Sequence, residues 1–185
     1  MKNKIFLGVG ISLLTAALLV SCDPTNPNNP NEQELITNVT LTAINGTDTI
    51  SASYSDPDGN GGNAPTIDTL QLTASTNYSV HLTLLDETKN PVADITGEIE
   101  EDGEAHQFFY SFSSAALSWL YQDQDGNGNP VGLEISVSTG TASTGSVVVT
   151  LRHEPNKTAA GVSTGDITNA GGETDVEISF PVVIQ

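Results

Sequence analysis

Apolar and polar residues alternate with a period of two in run after run of this chain. Val39, Leu41 and Ala43 share one parity, as do Ile50, Ala52 and Tyr54, then Leu70, Leu72 and Ala74, then Val80, Leu82 and Leu84. The pattern returns in His106, Phe108, Tyr110 and Phe112, in Val131, Leu133, Ile135 and Val137, in Val147, Val149 and Leu151, and in Val176, Ile178, Phe180, Val182 and Ile184. Successive side chains of an extended strand point to opposite faces, so each run predicts a strand with one buried and one solvated face. A weaker strand is expected around Ile95, Gly97 and Ile99. Turn dipeptides separate the runs: Asn45-Gly46, Asp58-Gly59, Asp102-Gly103, Gly126-Asn127 and Gly171-Gly172. Ser114 to Leu120 reads as a single helical turn or an irregular connection. Thr, Ser, Val, Ile and Gly are abundant and long runs of helix formers are absent. The expectation is an all-β fold: an antiparallel β-sandwich, immunoglobulin-like, of eight to nine strands.

The first residues carry a different signal. Lys2 and Lys4 make a basic start, Ile5 through Val20 form an apolar segment with few polar interruptions, and Ser21 is a small residue before Cys22, the only cysteine. The run Leu19-Val20-Ser21-Cys22 resembles the lipobox of bacterial lipoproteins. The resemblance implies cleavage before Cys22 and acylation of that residue, which places the protein in the cell envelope, anchored through lipid to what is expected to be the outer membrane. The expected organisation is residues 1–21 as a lipoprotein signal peptide, 22–34 as a flexible Pro/Asn-rich tether, and 35–185 as one folded domain. After cleavage three basic side chains remain (Lys89, Arg152 and Lys157) against all 23 acidic ones, a net of −20. That charge excludes nucleic-acid binding and favours divalent cations.

Two loops repeat the pattern D-x-D-G-N-G. One holds Asp56, Asp58 and Asn60; the other holds Asp123, Asp125 and Asn127, followed by Asn129 and by Glu134 at its position twelve. Alternate oxygen-bearing side chains and a glycine at the sharp turn match the early positions of an EF-hand calcium loop, with Asn129 supplying a backbone carbonyl and Glu134 two further oxygens. Neither loop has flanking helical patterns, and Pro130 interrupts the second. Both are therefore calcium candidates between strands, with an ordinary Asp/Asn/Gly turn as the alternative.

His106 and His153 stand at the ends of two predicted strands, on their apolar parity, so they can meet at one rim of a sandwich. With a nearby carboxylate, Glu104 or Glu154, they would suit a transition metal or haem. The alternative is a pair of hydrogen-bonded core histidines. His81 alternates away from the apolar face. No nucleophile elbow, H-E-x-x-H helix or free thiol is present, so an enzyme is not expected.

Several segments taken together resemble a known group: Glu100-Glu101 followed by Ala105-His106-Gln107-Phe108-Phe109-Tyr110, residues 123–133, Leu151-Arg152-His153-Glu154-Pro155-Asn156-Lys157, and Gly172-Glu173-Thr174-Asp175. The chain resembles small flavobacterial (Bacteroidota) lipoproteins described as a type 1 periplasmic-binding-fold superfamily. The α/β fold in that description needs crossover helices, for which this chain has no helical periodicity. The resemblance implies partnership with a TonB-dependent outer-membrane receptor and capture of a metal or cofactor. Two functional expectations follow: a lipid-anchored envelope binding protein that takes a metal or small ligand to such a receptor, or a calcium-stabilised structural or adhesive surface lipoprotein.

Overall fold

The structure, a computed structural model, describes residues 35–59 and 61–185. Cys22, the signal peptide, the tether and Asn60 lie outside the described residues.

The alternating runs become β1 (Asn38–Asn45), β2 (Asp48–Ser55), β3 (Thr66–Ile67), β4 (Leu70–Leu72), β5 (Asn77–Asp86), β6 (Ala93–Asp94), β7 (His106–Ser113), β8 (Leu117–Tyr121), β9 (Glu134–Thr139), β10 (Ser143–His153) and β11 (Glu173–Ile184), with one helix, α1 (Ile95–Glu101). The first sheet runs β3-β2-β1-β5-β9-β8, with β6 paired to β5, and the second runs β4-β11-β10-β7. All pairings are antiparallel except β4 with β11. The β1–β2 hairpin keeps register over eight pairs around a two-residue turn, where Gly46 takes φ 59°.

The two sheets close on one apolar core. Val39, Leu41, Val80, Leu82, Leu84, Ile135 and Val137 of the first meet Phe108, Val147, Val149, Leu151, Ile178, Phe180 and Val182 of the second. Each such side chain, fully buried, contributes roughly 1.5–3 kcal/mol of transfer free energy. The fold is thus mostly β, as alternation predicts, with two antiparallel-rich sheets in a sandwich.

Three local expectations are corrected. The strand expected at Ile95 and Ile99 is α1, capped by Asp94, whose Oδ1 accepts the Thr96 N–H at 3.1 Å. A spacing of four satisfies both a strand face and a helix face, so the two isoleucines alone do not discriminate. The segment expected to be irregular at Ser114 to Leu120 contains β8, whose Leu117, Trp119 and Tyr121 pack on the core. Its outward Leu120 is 69% exposed, and that apolar residue on the wet face hides the alternation. Val131 and Leu133 are buried as expected but precede β9 rather than lying in it.

Gln107 and Phe109 point to the outer face of β7, yet both are buried. The long β10–β11 connection folds over them: Phe109 packs with Val162 and Ala170, and Gln107 Nε2 donates to the Val162 carbonyl at 2.9 Å.

Candidate metal centre

His106 opens β7 and His153 closes β10. Antiparallel register pairs them directly, and their rings stack with centroids 4.9 Å apart and planes 11° from parallel. The third member comes from β11. Register between β10 and β11 slips after Leu151: Leu151 faces Val176, Arg152 faces Thr174, and Asp175 is the extra residue. Such a bulge bends its strand and re-aims a side chain. Here it brings Asp175 to the histidines, with Oδ2 3.9 Å from His106 Nε2. The approach also needs Gly172, at φ 69°, where a Cβ would collide with the His153 carbonyl oxygen. One ligand atom from each of His106, His153 and Asp175 lies within 4.8 Å of the others, and this is the one such group of three or more among the described residues.

The electronic state suits a cation. His106 Nδ1 lies 3.1 Å from the Asp102 carbonyl oxygen, which only accepts, so Nδ1 carries the proton and Nε2 keeps its lone pair toward Asp175. Burial pushes the His106 pKa down, reinforced by the charge of His153, and the Asp102 carbonyl and Asp175 only partly offset this. Burial pushes Asp175 up, against the pull of both histidines. The Asp175 side chain is 4% exposed and its Oδ1 has no hydrogen-bond partner. Two imidazoles and a carboxylate form a donor set for zinc or a neighbouring first-row ion. Ligand atoms around tetrahedral zinc sit about 3.4 Å apart, so loading would draw the three side chains inward by up to about an ångström. Rings stacked side by side do not oppose each other end-on, as a bis-histidine haem requires, so the geometry suits a bare ion. Beside the centre, Glu100, Glu101, Asp102, Glu104 and Asp125 help line an open cleft of about 320 Å³.

The calcium candidates fare differently. The structure does not gather Asp123, Asp125, Asn127, Asn129 and Glu134 about one point. Asp123 accepts the N–H groups of Gly132, Leu133 and Glu134 at 2.7, 2.7 and 3.1 Å. Asp125 Oδ1 accepts those of Asn127 and Asn129, both at 2.9 Å, and Oδ2 accepts Lys157 Nζ at 2.9 Å. Glu134 turns to His81, 3.2 Å away. In the other loop Asp58 Oδ2 accepts the backbone and side-chain N–H of Asn63, and Asp56 is buried.

The strand-end positions of the two histidines allow them to meet at one rim, and the structure pairs and stacks them there. Sequence reasoning misses Asp175. Glu104 and Glu154, nearer in sequence, are not in the group: Glu104 lines the acidic cleft, and Glu154, at φ 50°, turns the chain out of β10. The Gly171-Gly172 pair before Asp175 is the only signal of the close approach. Compared with family models, curated proteins and solved structures, the chain matches none.

Proposed function

We propose that this protein is a lipid-anchored cell-envelope binding protein that captures a transition-metal ion at His106, His153 and Asp175. The observation that supports this reading is the buried Asp175 carboxylate, left with an unpartnered oxygen beside a stacked histidine pair. A buried carboxylate oxygen without a hydrogen-bond partner is costly, and a cation removes that cost. Cys22 supplies the anchor in this reading, and a TonB-dependent receptor in the outer membrane is the partner that would take the ion onward. Capture without turnover is the activity; no catalytic role is assigned.

We infer further that the sandwich is immunoglobulin-like. The strand orders β4-β11-β10-β7 and β5-β9-β8 match an immunoglobulin Greek key to which β1 and β2 add a hairpin. The metal centre then lies at the end that carries the β10–β11 connection, the end that holds binding loops in variable domains.

The test is calorimetric titration of the full-length protein in detergent with zinc, and with copper(II) followed by electron paramagnetic resonance. The expected result is one ion per chain with nitrogen hyperfine structure from two imidazoles. Asp175→Asn should weaken binding by more than the roughly 10–100-fold cost of losing an outer-shell partner. Wild-type affinity in both Asp175→Asn and His106→Ala would refute the site.

A further inference from the structure

The fold treats its two D-x-D-G-N-G loops in opposite ways. In residues 123–128 every carboxylate oxygen has a partner, and the positive charge comes from within the chain. Lys157 Nζ, on the β10–β11 connection, donates to the Gly103 carbonyl, to Asp125 Oδ2 at 2.9 Å and to the Pro130 carbonyl at 3.0 Å. Its side chain is only 4% exposed. Three oxygens around a buried ammonium make a cation site whose cation is tethered to the protein.

The loop beginning at Asp56 has no such filling. The other described basic side chains are engaged elsewhere: Lys89 lies by Asp86, and Arg152 donates to the Gly172 carbonyl. Asp56 is 7% exposed; its Oδ2 accepts the Tyr54 hydroxyl at 3.3 Å, and its Oδ1 is buried without a partner. The Asp58 carboxylate lies in hydrogen-bonding contact range of the Asp56 carboxyl, and the Asn63 N–H groups hold Asp58 below the usual carboxylate range, so it is charged at neutral pH. Two acids thus converge, one with an orphaned buried oxygen, and a cation between two carboxylates would offset their repulsion and satisfy that oxygen.

We propose that the Asp56/Asp58 loop binds a hard divalent cation of the calcium type through Asp56 Oδ1 and Asp58, and that the 123–128 loop is the same device with Lys157 in place of the ion. An all-oxygen donor set selects calcium over the softer ions suited to the histidine centre. Two carboxylates, completed by backbone carbonyls and water, fit an affinity of about 10⁻⁴–10⁻³ M, the range of extracytoplasmic calcium modules. The site is independent of the histidine centre.

The experiment uses full-length protein in detergent. Thermal unfolding is recorded in about 10 mM calcium, well above that affinity range, against sodium chloride of equal ionic strength. Terbium luminescence excited through tyrosine reports the locus, since the Tyr54 hydroxyl touches Asp56. Calcium should raise the wild-type melting temperature and quench sensitised terbium emission. Asp58→Asn, at an exposed side chain whose remaining carbonyl oxygen can still accept the Asn63 N–H groups, should lose both responses, whereas Asp125→Asn and His106→Ala should keep them. Lys157→Ala should take up a second terbium ion. The absence of a calcium-specific rise, or its survival in Asp58→Asn, would overturn the first site. Unchanged terbium stoichiometry in Lys157→Ala would overturn the tethered-cation account of the second loop.

Discussion

Replacing Lys157 with methionine tests how much the tethered ammonium stabilises the domain. The substitution keeps the apolar stem and removes a charge that lies 2.9 Å from Asp125 Oδ2. Asp125, with a side chain 1% exposed, is left without its countercharge. Breaking a buried pair from one side costs ~3–5 kcal/mol. The lower end, about 3 kcal/mol, applies here because Asp125 keeps two backbone N–H donors and lies close beneath the surface. For a domain of this size, that free energy corresponds to a fall of about 6–12 °C in melting temperature. The assay is thermal and urea unfolding in chelator, so that no divalent ion fills the vacated place. Asp125→Asn in the Lys157→Met background should restore about 1–2 kcal/mol, since an amide needs no countercharge. Burial pushes the Asp125 pKa up, but the Lys157 hydrogen bond and the Asn129 and Asn127 N–H groups outweigh it, and the net shift is downward. A carboxylate depressed in the folded state contributes stability that is present above its unfolded pKa of about 3.9 and is lost as pH falls through the lower folded value. The wild type should therefore lose this contribution below about pH 4, and Lys157→Met should show less of that loss. A melting shift under about 2 °C, or single-variant costs that simply add in the double variant, would refute the ion-pair account.

Other outcomes follow from the same structure. His106 has a folded pKa below its unfolded value, so the unfolded chain takes up its proton first; stability should fall as pH drops through about 6.5, and His106→Gln should flatten that limb when melting is followed from pH 7.5 to 5.5. Asp175 acts in the opposite sense: its raised pKa makes the folded state bind the proton more tightly, so its contribution declines as pH rises above about 3.9, and Asp175→Asn should be relatively more stable near neutrality in metal-free buffer. Cys22→Ser should release the protein from membranes in detergent-free fractionation, and retention of the variant there would place the anchor elsewhere.

Local regularity in the chain reports only on local structure. Val80, Leu82 and Leu84 must face one way in any strand, and the fold buries all three. The same reasoning fails where a residue answers to a distant neighbour. Ile95 and Ile99 fit either period, and the cap at Asp94 together with the Thr96 hydroxyl, which accepts the Leu84 N–H at 2.9 Å, accompanies the helix. Phe109 reads as an exposed residue on the wrong parity until a connection from about fifty residues away covers it.

The candidate centre divides along the same line. That His106 and His153 end apolar strands is written in period-two spacing. That those strands are neighbours, in a register that stacks the two rings, depends on pairing across some forty-seven positions, which no local pattern encodes. Asp175 enters only because β11 bulges beside Leu151, and a one-residue slip between strands leaves no mark in composition. Likewise the two D-x-D-G-N-G loops are alike as text. What separates them is whether a lysine from another part of the chain reaches the carboxylates, and Lys157 reaches one loop while no described lysine or arginine pairs with the other. The all-β class and the strand faces are legible along the chain because each follows from neighbours a few residues apart, and the acidic charge is a plain sum over its residues. Which donors converge is set in three dimensions, because long-range pairing and register place side chains from separate strands within ångströms of one another.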